Sequence, residues 1–484
     1  MSIIAAFCFL SSGLFLGWSL GANDAANVFG TAVGSKMLRF KTAAIICSVF
    51  LILGAVISGA GASHTYGKLG SINEIGGAFI VAFAAAFSVF WMTRLMLPVS
   101  TSQAIVGAII GWNFYAGFLT DQASLIKIVS TWVFCPILAA IFASVSYVVM
   151  KFIIEHIKIH LLWLDFLIRW ALIIVGAFGS YALGANNIAN VMGVFVPVSP
   201  FPEVNVFNLF TFDSIHTLFL LGGIAIAVGV FTYSKRVMST VGSSIFSLNS
   251  VNALVVVFSS SLVLFLFASQ SLKDFLISMN LPSFPLVPVS SSQAVVGAVL
   301  GIGIIKCRRN INVSIIGKIS AGWVATPIIA GVVSFVLLFI MQNVFMQPVY
   351  KPISYLVSKA SIIELESHEM PFAGQLKEYE GSKFKNELTL YNTIKKTDGF
   401  KKEYFEEIKK FCEFEKIKLA QEAIKKENFA KDFLSPSEKT LLLSLKKHTY
   451  NHRWLLERQL FKLINDQERA RQISSFLYEN SHKW

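Results

Sequence analysis

Over residues 1–350, long apolar stretches alternate with short polar loops. Runs near residues 3–22, 41–60, 75–97, 125–150, 165–195, 214–233, 250–270 and 315–347 reach the roughly 20 residues that a helix needs to cross about 30 Å of hydrocarbon. They predict eight membrane helices, the last either one long tilted helix or two pieces. Met1 to Leu20 is apolar and lacks both a basic leading segment and a clear small-residue cleavage site, so it reads as the first membrane helix and not as a removable signal peptide. Two further apolar runs, 98–112 and 285–304, begin at prolines, are rich in Ser and Gly, and are short for a full crossing. They predict re-entrant or broken helical hairpins. Non-helical backbone at that depth persists only where protein or a water-filled cavity satisfies its polar groups, so these runs point towards a pathway.

Beyond residue 350 the pattern changes. Lys401 to Lys426 mixes Lys, Glu, Phe, Ile and Leu at helical spacing, and Ser435-Pro436-Ser437-Glu438 reads as a helix start before Leu441, Leu442 and Leu443. A small α-helical soluble domain tied by i,i+4 charge pairs is expected there.

Composition agrees with this division. With 55% hydrophobic residues, 43 phenylalanines, 14% charged residues and a mean hydropathy of +0.64, the chain is not an ordinary globular protein. Residues 1–350 hold 16 Lys+Arg against 8 Asp+Glu, and the rest hold 25 against 20, giving a membrane body of net +8 and a tail of net +5. Half the body's positive charges sit in short loops, where membrane topology uses them, so nucleic-acid binding is a poor reading. Cysteines at 8, 47, 135, 307 and 412 form no CxxC pair and no disulfide framework.

The body is internally duplicated. Leu20-Gly-Ala-Asn-Asp-Ala-Ala-Asn-Val-Phe-Gly30 recurs as Leu183-Gly-Ala-Asn-Asn-Ile-Ala-Asn-Val-Met-Gly193, and Pro98-Val-Ser-Thr-Ser-Gln-Ala-Ile-Val-Gly-Ala108 recurs as Pro288-Val-Ser-Ser-Ser-Gln-Ala-Val-Val-Gly-Ala298. Lys127, Trp132 and Pro136 are echoed at the same intervals by Lys318, Trp323 and Pro327. Loop charges orient the copies. Lys36, Arg39 and Lys41 follow the first Gly-Ala-Asn motif, whereas 195–213 has no Lys or Arg; 112–124 has none, whereas its counterpart has Lys306, Arg308 and Arg309. Lys68 against Lys235 and Arg236 is a weaker third case. The equivalent loops then lie on opposite faces, as an inverted repeat requires. The predicted parts are repeat 1 over residues 1–160, an inverted repeat 2 over 161–347 and a polar helical domain over 348–484.

An ionised Asp24 inside an apolar helix costs several kcal/mol unless it is paired or hydrated. Na⁺ held by Asn23, Asp24, Asn27 and Gln103 would satisfy it, as would a proton. Helix packing through Gly, Ala and hydrogen-bonding Asn is the plainer reading of one copy, and duplication weighs against it. The Pro-Val-Ser runs have the form of helix starts, whose unpaired amides bind anions. Ser100, Thr101 and Ser102 add hydroxyls in one copy, and Ser290, Ser291 and Ser292 in the other. Two such tips meeting at the membrane midplane would enclose a tetrahedral oxyanion without a fixed positive charge, which suits release by a carrier. Ordinary N-capping is the alternative. Arg94, Lys127 and Lys318 read as interfacial side chains, Trp132 and Trp323 as belt or packing residues, and His216 as interfacial.

Through these duplicated motifs, residues 1–347 resemble the inorganic phosphate transporter (PiT) family. The resemblance implies an inverted-repeat, alternating-access symporter carrying phosphate with Na⁺ or H⁺, without a resident cofactor. By motif, the six Ser and Thr residues above look like phosphate ligands; Asn23, Asp24, Asn27, Gln103, Asn186, Asn190 and Gln293 look like cation-site or supporting residues. Asn187 departs from the pattern, standing where the family usually has aspartate, which leaves open one cation per cycle, proton coupling or a related anion such as sulfate. A transporter-like anion sensor signalling through the tail is a rival. An intramembrane hydrolase using Ser100 or Ser290 lacks a local base, so no enzymatic activity is expected. A multi-pass protein of a bacterial inner membrane, in contact with lipid and free to form a homodimer, is the expected setting.

Overall fold

The structure is a computed structural model that describes residues 3–94, 99–157, 160–202, 204–206, 210–235, 237–238, 250–306, 313–368, 370, 373–397, 399–419, 424, 430, 433–445 and 449–480. Pro98, Arg236, Cys307, Arg308 and Arg309 lie outside these residues, as do the side chains of Arg94 and Lys318. The chain divides into two compact units, residues 1–116 with 120–351, and residues 117–119 with 352–484.

The first unit is helical. Its helices are α1 (Ile3–Gly34), α2 (Phe40–Ser58), α3 (Ala60–Leu69), α4 (Ile75–Arg94), α5 (Thr101–Ala116), α6 (Gln122–His156), α7 (Leu161–Met192), α8 (Ser214–Thr232), α9 (Ser250–Ala268), α10 (Gln270–Ser278), α11 (Ser291–Lys306) and α12 (Val313–Asn343). Among the described residues eight helices are long and apolar enough to cross a membrane: α1, α2, α4, α6, α7, α8, α9 and α12. The last apolar run is thus one helix, with Pro327 inside it. Lipid-facing stripes explain why these helices are apolar on the outside as well as within. On α6, Val133, Ile137, Ile141 and Val145 are each at least half exposed, repeating every fourth residue along one face.

Before α11, residues 281–290 are neither helix nor strand, so that short helix starts behind a non-helical stretch that includes Pro288. Ser100 Oγ accepts from Gln103 N at 3.4 Å and Ser290 Oγ accepts from Gln293 N at 3.3 Å, so each run opens with a capped first turn. One expectation needs correction. The body is not purely α: β1 (Val204–Val206) pairs antiparallel with β2 (Phe210–Phe212) between α7 and α8.

Elements of the two copies pack crosswise. α1 lies on α8 and α7 on α2, while α5 lies on α12 and α11 on α6. Glycines make this close. A Cβ at Gly21 would sit 1.9 Å from Ile226 O, and one at its counterpart Gly184 would sit 2.0 Å from Leu51 O. Likewise a Cβ at Gly107 would meet Pro327 O at 2.0 Å, and one at Gly297 would meet Pro136 O at 2.2 Å. Small residues at these positions let backbones touch where lipid supplies no hydrophobic drive between helices.

The second unit mixes short helices with two-stranded ribbons, so the expectation of an entirely helical tail is also corrected. Its first core gathers Tyr355, Leu365, Leu390 and Ile408, with Leu119 packed against them. Here Leu388 N donates to Gly117 O at 3.1 Å. Within 401–426 the helical reading holds at α15 (Phe405–Cys412), which follows α13 (Lys359–Ser367) and α14 (Glu387–Ile394), and at Ile424, while 420–423 and 425–426 lie outside the described residues. The chain then extends because Phe414 N bonds Ser354 O, Glu415 N bonds Asn451 O, and Ile417–Lys418 pairs with Thr449–Tyr450. Tertiary pairing overrides the local helical pattern. A second core joins Ile417, Leu442, Tyr450, Leu456 and Ile473. The expected helix start at Ser435 opens α16 (Pro436–Ser444) with a full capping box, and Arg469 of α18 (Gln467–Asn480), which follows α17 (Arg453–Ile464), holds the Glu438 carboxylate at 2.7 and 3.0 Å.

Candidate functional site

The duplicated motifs meet in one buried polar cluster. Ser102 Oγ donates to Val289 O at 3.1 Å, and Ser292 Oγ donates to Val99 O at 3.2 Å. The first turn of each short helix therefore hydrogen-bonds a valine just ahead of the other, and the first turns of α5 and α11 are brought together. The opening amides of both helices have no intrahelical acceptor.

Asparagines of α7 hold this arrangement. Asn186 Nδ2 donates to Val289 O at 2.7 Å, and its Oδ1 accepts from Val289 N at 2.9 Å, so one side-chain amide holds both backbone groups of one residue. Asn190 Nδ2 donates to Ser102 Oγ at 2.9 Å and to Asn187 Oδ1 at 3.1 Å. Its own carbonyl accepts from the Tyr66 hydroxyl at 2.7 Å. Tyr66, on α3, is buried and carries no repeat signal in the sequence, which is why sequence reasoning missed it.

Asp24 on α1 joins the cluster through one oxygen. Its Oδ2 accepts from Ser291 Oγ at 2.5 Å and from Asn187 Nδ2 at 3.3 Å. Ser290 Oγ lies 3.0 Å from Ser292 Oγ. The two copies are unequal in exposure: Asn23, Asp24, Asn27, Thr101 and Ser292 are half-buried, whereas Asn186, Asn187, Asn190, Ser100, Ser102, Ser290 and Ser291 are buried.

Not every candidate enters the network. Asn23 Nδ2 turns back to Ser19 O at 3.1 Å on its own helix. Gln103 and Gln293 are buried with their Oε1 atoms unbonded among the described residues, as are the indole nitrogens of Trp132 and Trp323. His216 pairs with Asp213 at the start of α8, at 2.6 Å. Among the described residues no group of three or more His, Cys, Asp or Glu forms a metal cluster.

Among the described residues, eight helices long and apolar enough to cross a membrane surround a centre of hydroxyls, amides and one carboxylate, which defines the class: a multi-pass membrane protein of the transporter kind. The chain belongs to the phosphate transporter family, whose model matches residues 20–334 and 275–385. Among its relatives, the protein named "Putative phosphate permease PF1020" of Pyrococcus furiosus is 27% identical over 66% of this chain and 92% of its own length. The sulfate permease CysP of Bacillus subtilis is 28% identical over 73% of this chain and 92% of its own. A solved structure described as the sodium-dependent phosphate transporter is similar in fold, with a TM-score of 0.55 and 22% identity over 70% of this chain and 99% of that one.

Proposed function

We propose that this protein is a symporter that moves inorganic phosphate with Na⁺ by alternating access between two inverted repeats. The observation that carries the reading is the reciprocal pair Ser102–Val289 and Ser292–Val99, which joins two donor-rich helix starts at one point. Phosphate would be held there by Ser100, Thr101, Ser102, Ser290, Ser291 and Ser292 together with the first-turn amides that the caps do not take. Ser100 and Ser290 cap their own helices, and would contribute mainly by fixing those turns.

Asp24 is the one charged side chain bonded into the cluster among the described residues, and a cation beside it would offset the cost of its burial. Buried, unbonded Gln103 Oε1 and Gln293 Oε1 are oxygen donors of the kind Na⁺ takes. The crosswise packing of equivalent helices and the loop charges support inverted repeats that rock about a fixed centre. Na⁺ is favoured over H⁺ by the sodium dependence named for the structural neighbour. Sulfate is the second reading, favoured by the permease of Bacillus subtilis.

Uptake of labelled phosphate into proteoliposomes, under separately imposed Na⁺ and pH gradients and with unlabelled sulfate as competitor, tests both. Concentrative uptake driven by Na⁺ and little affected by sulfate is expected. No uptake under either gradient would discard the symporter reading, and potent block by sulfate would favour the second anion.

A further inference from the structure

The two Gly-Ala-Asn motifs differ at one polar position: Asp24 in the first copy is matched by Asn187 in the second. These two residues are also hydrogen-bonded to one another, Asn187 Nδ2 to Asp24 Oδ2 at 3.3 Å. The amide's orientation is set by its surroundings. Asn187 Oδ1 accepts from Asn186 Nδ2 at 2.9 Å and from Asn190 Nδ2 at 3.1 Å, and both of those atoms can only donate. The amide nitrogen must therefore face the carboxylate. A carboxylate at 187 could still accept from both asparagines, but it would present oxygen to oxygen towards Asp24. Two ionised carboxylates at hydrogen-bond distance in a buried centre need a cation between them, or one must neutralise.

We infer that Asn187 sets the number of cations that travel with each phosphate: its neutral amide donates to Asp24 where a carboxylate would call for a second ion, and the centre holds one monovalent cation per cycle. This rests on the Na⁺-coupled reading above. The charge count is the reason. Asp24 contributes one negative charge, Ser291 and Asn187 satisfy its Oδ2 with neutral donors, and a single ion beside Oδ1 neutralises the carboxylate.

The test uses the full chain in proteoliposomes, with the membrane potential clamped at zero and equal pH on both sides. A tenfold Na⁺ gradient should hold labelled phosphate at about tenfold accumulation in the wild type and about hundredfold in Asn187→Asp, the second power, since accumulation follows mass action. The double variant Asp24→Asn/Asn187→Asp moves the single carboxylate to the other repeat. It should return to first-power coupling, which separates charge count from position and guards against misfolding of the single variant. Second-power accumulation by the wild type or the double variant would overturn the inference, as would first-power accumulation by Asn187→Asp. Those results leave phosphate transport intact; absence of phosphate uptake by the wild type would instead sink the transport reading and this inference with it.

Discussion

Ser102 and Ser292 occupy matched positions in the two Pro-Val-Ser motifs, and each donates its hydroxyl to a backbone carbonyl that precedes the other's helix. The two contacts are not equally embedded. Ser102 also accepts from Asn190 and is buried, whereas Ser292 is half-buried and lies beside Ser290. Ser102→Ala leaves the Val289 carbonyl and the Asn190 amide each short of one partner, at a cost of about 1–3 kcal/mol; Ser292→Ala should cost about 1 kcal/mol. Thermal melts of the purified variants should show the larger loss for Ser102→Ala; equal losses would mean the tips are held by something else.

Asp24→Asn keeps the size of the side chain and an oxygen for Ser291 while removing the charge. Melting temperature should change little, and Na⁺-driven phosphate accumulation should vanish. Facilitated exchange of phosphate without a gradient would be retained. Full concentrative uptake by this variant would remove Asp24 from the coupling role.

Tyr66→Phe deletes the hydroxyl that serves Asn190 Oδ1 and leaves a buried carbonyl without it. A destabilisation of about 1–3 kcal/mol is expected. Hydrogen exchange should report it locally, as faster exchange around α3 and the end of α7, before any global change in the melt.

Gly297→Ala places a methyl 2.2 Å from Pro136 O, and neither backbone has a flexible end to yield. Overpacking of this kind costs about 1–3 kcal/mol or more. The variant should lose its monodisperse elution in detergent. Gly67→Ala, whose Cβ would have nothing within 4 Å, is the control and should elute as the wild type.

In the second unit, burial pushes the Glu415 carboxyl up to about 7 despite Arg453 at 3.4 Å, because desolvation outweighs the ion pair. The folded form holds this proton more tightly than the unfolded chain. Its contribution to stability is therefore complete below about pH 4.5 and is lost as pH rises towards 7. Glu438 has the opposite sign: Arg469 and the cap of α16 hold it down to about 2, so its contribution is present above pH 4.5 and lost on acidification. Glu415→Gln should flatten the decline between pH 4.5 and 7, read as hydrogen exchange in the strand at Ile417–Lys418.

Much of the fold was legible because the bilayer imposes a length on apolar runs. Helices α1, α2, α4, α6, α7, α8 and α9 fall where the sequence puts them, and the duplicated motifs located the polar cluster by pattern alone. What stayed hidden depends on distant register. Nothing local says that Asn186 holds the backbone N–H and C=O of Val289, 103 residues away, or that Tyr66 reaches Asn190. The β1–β2 ribbon spans three residues a side, too short to give a period. Between Lys401 and Lys426 the helical spacing misleads at 413–418, because the backbone partners that pull Phe414 and Glu415 out of a helix come from Ser354 and Asn451.

Because every principal helix of one copy is seated on a helix of the other, a half-length ancestor could have closed its core only by embracing its own twin. With both halves on one chain, the two need not be identical. The single acid facing a single amide at the heart of this molecule is what that freedom allows: a change made once, on one side, that a self-pairing ancestor would have been forced to make twice.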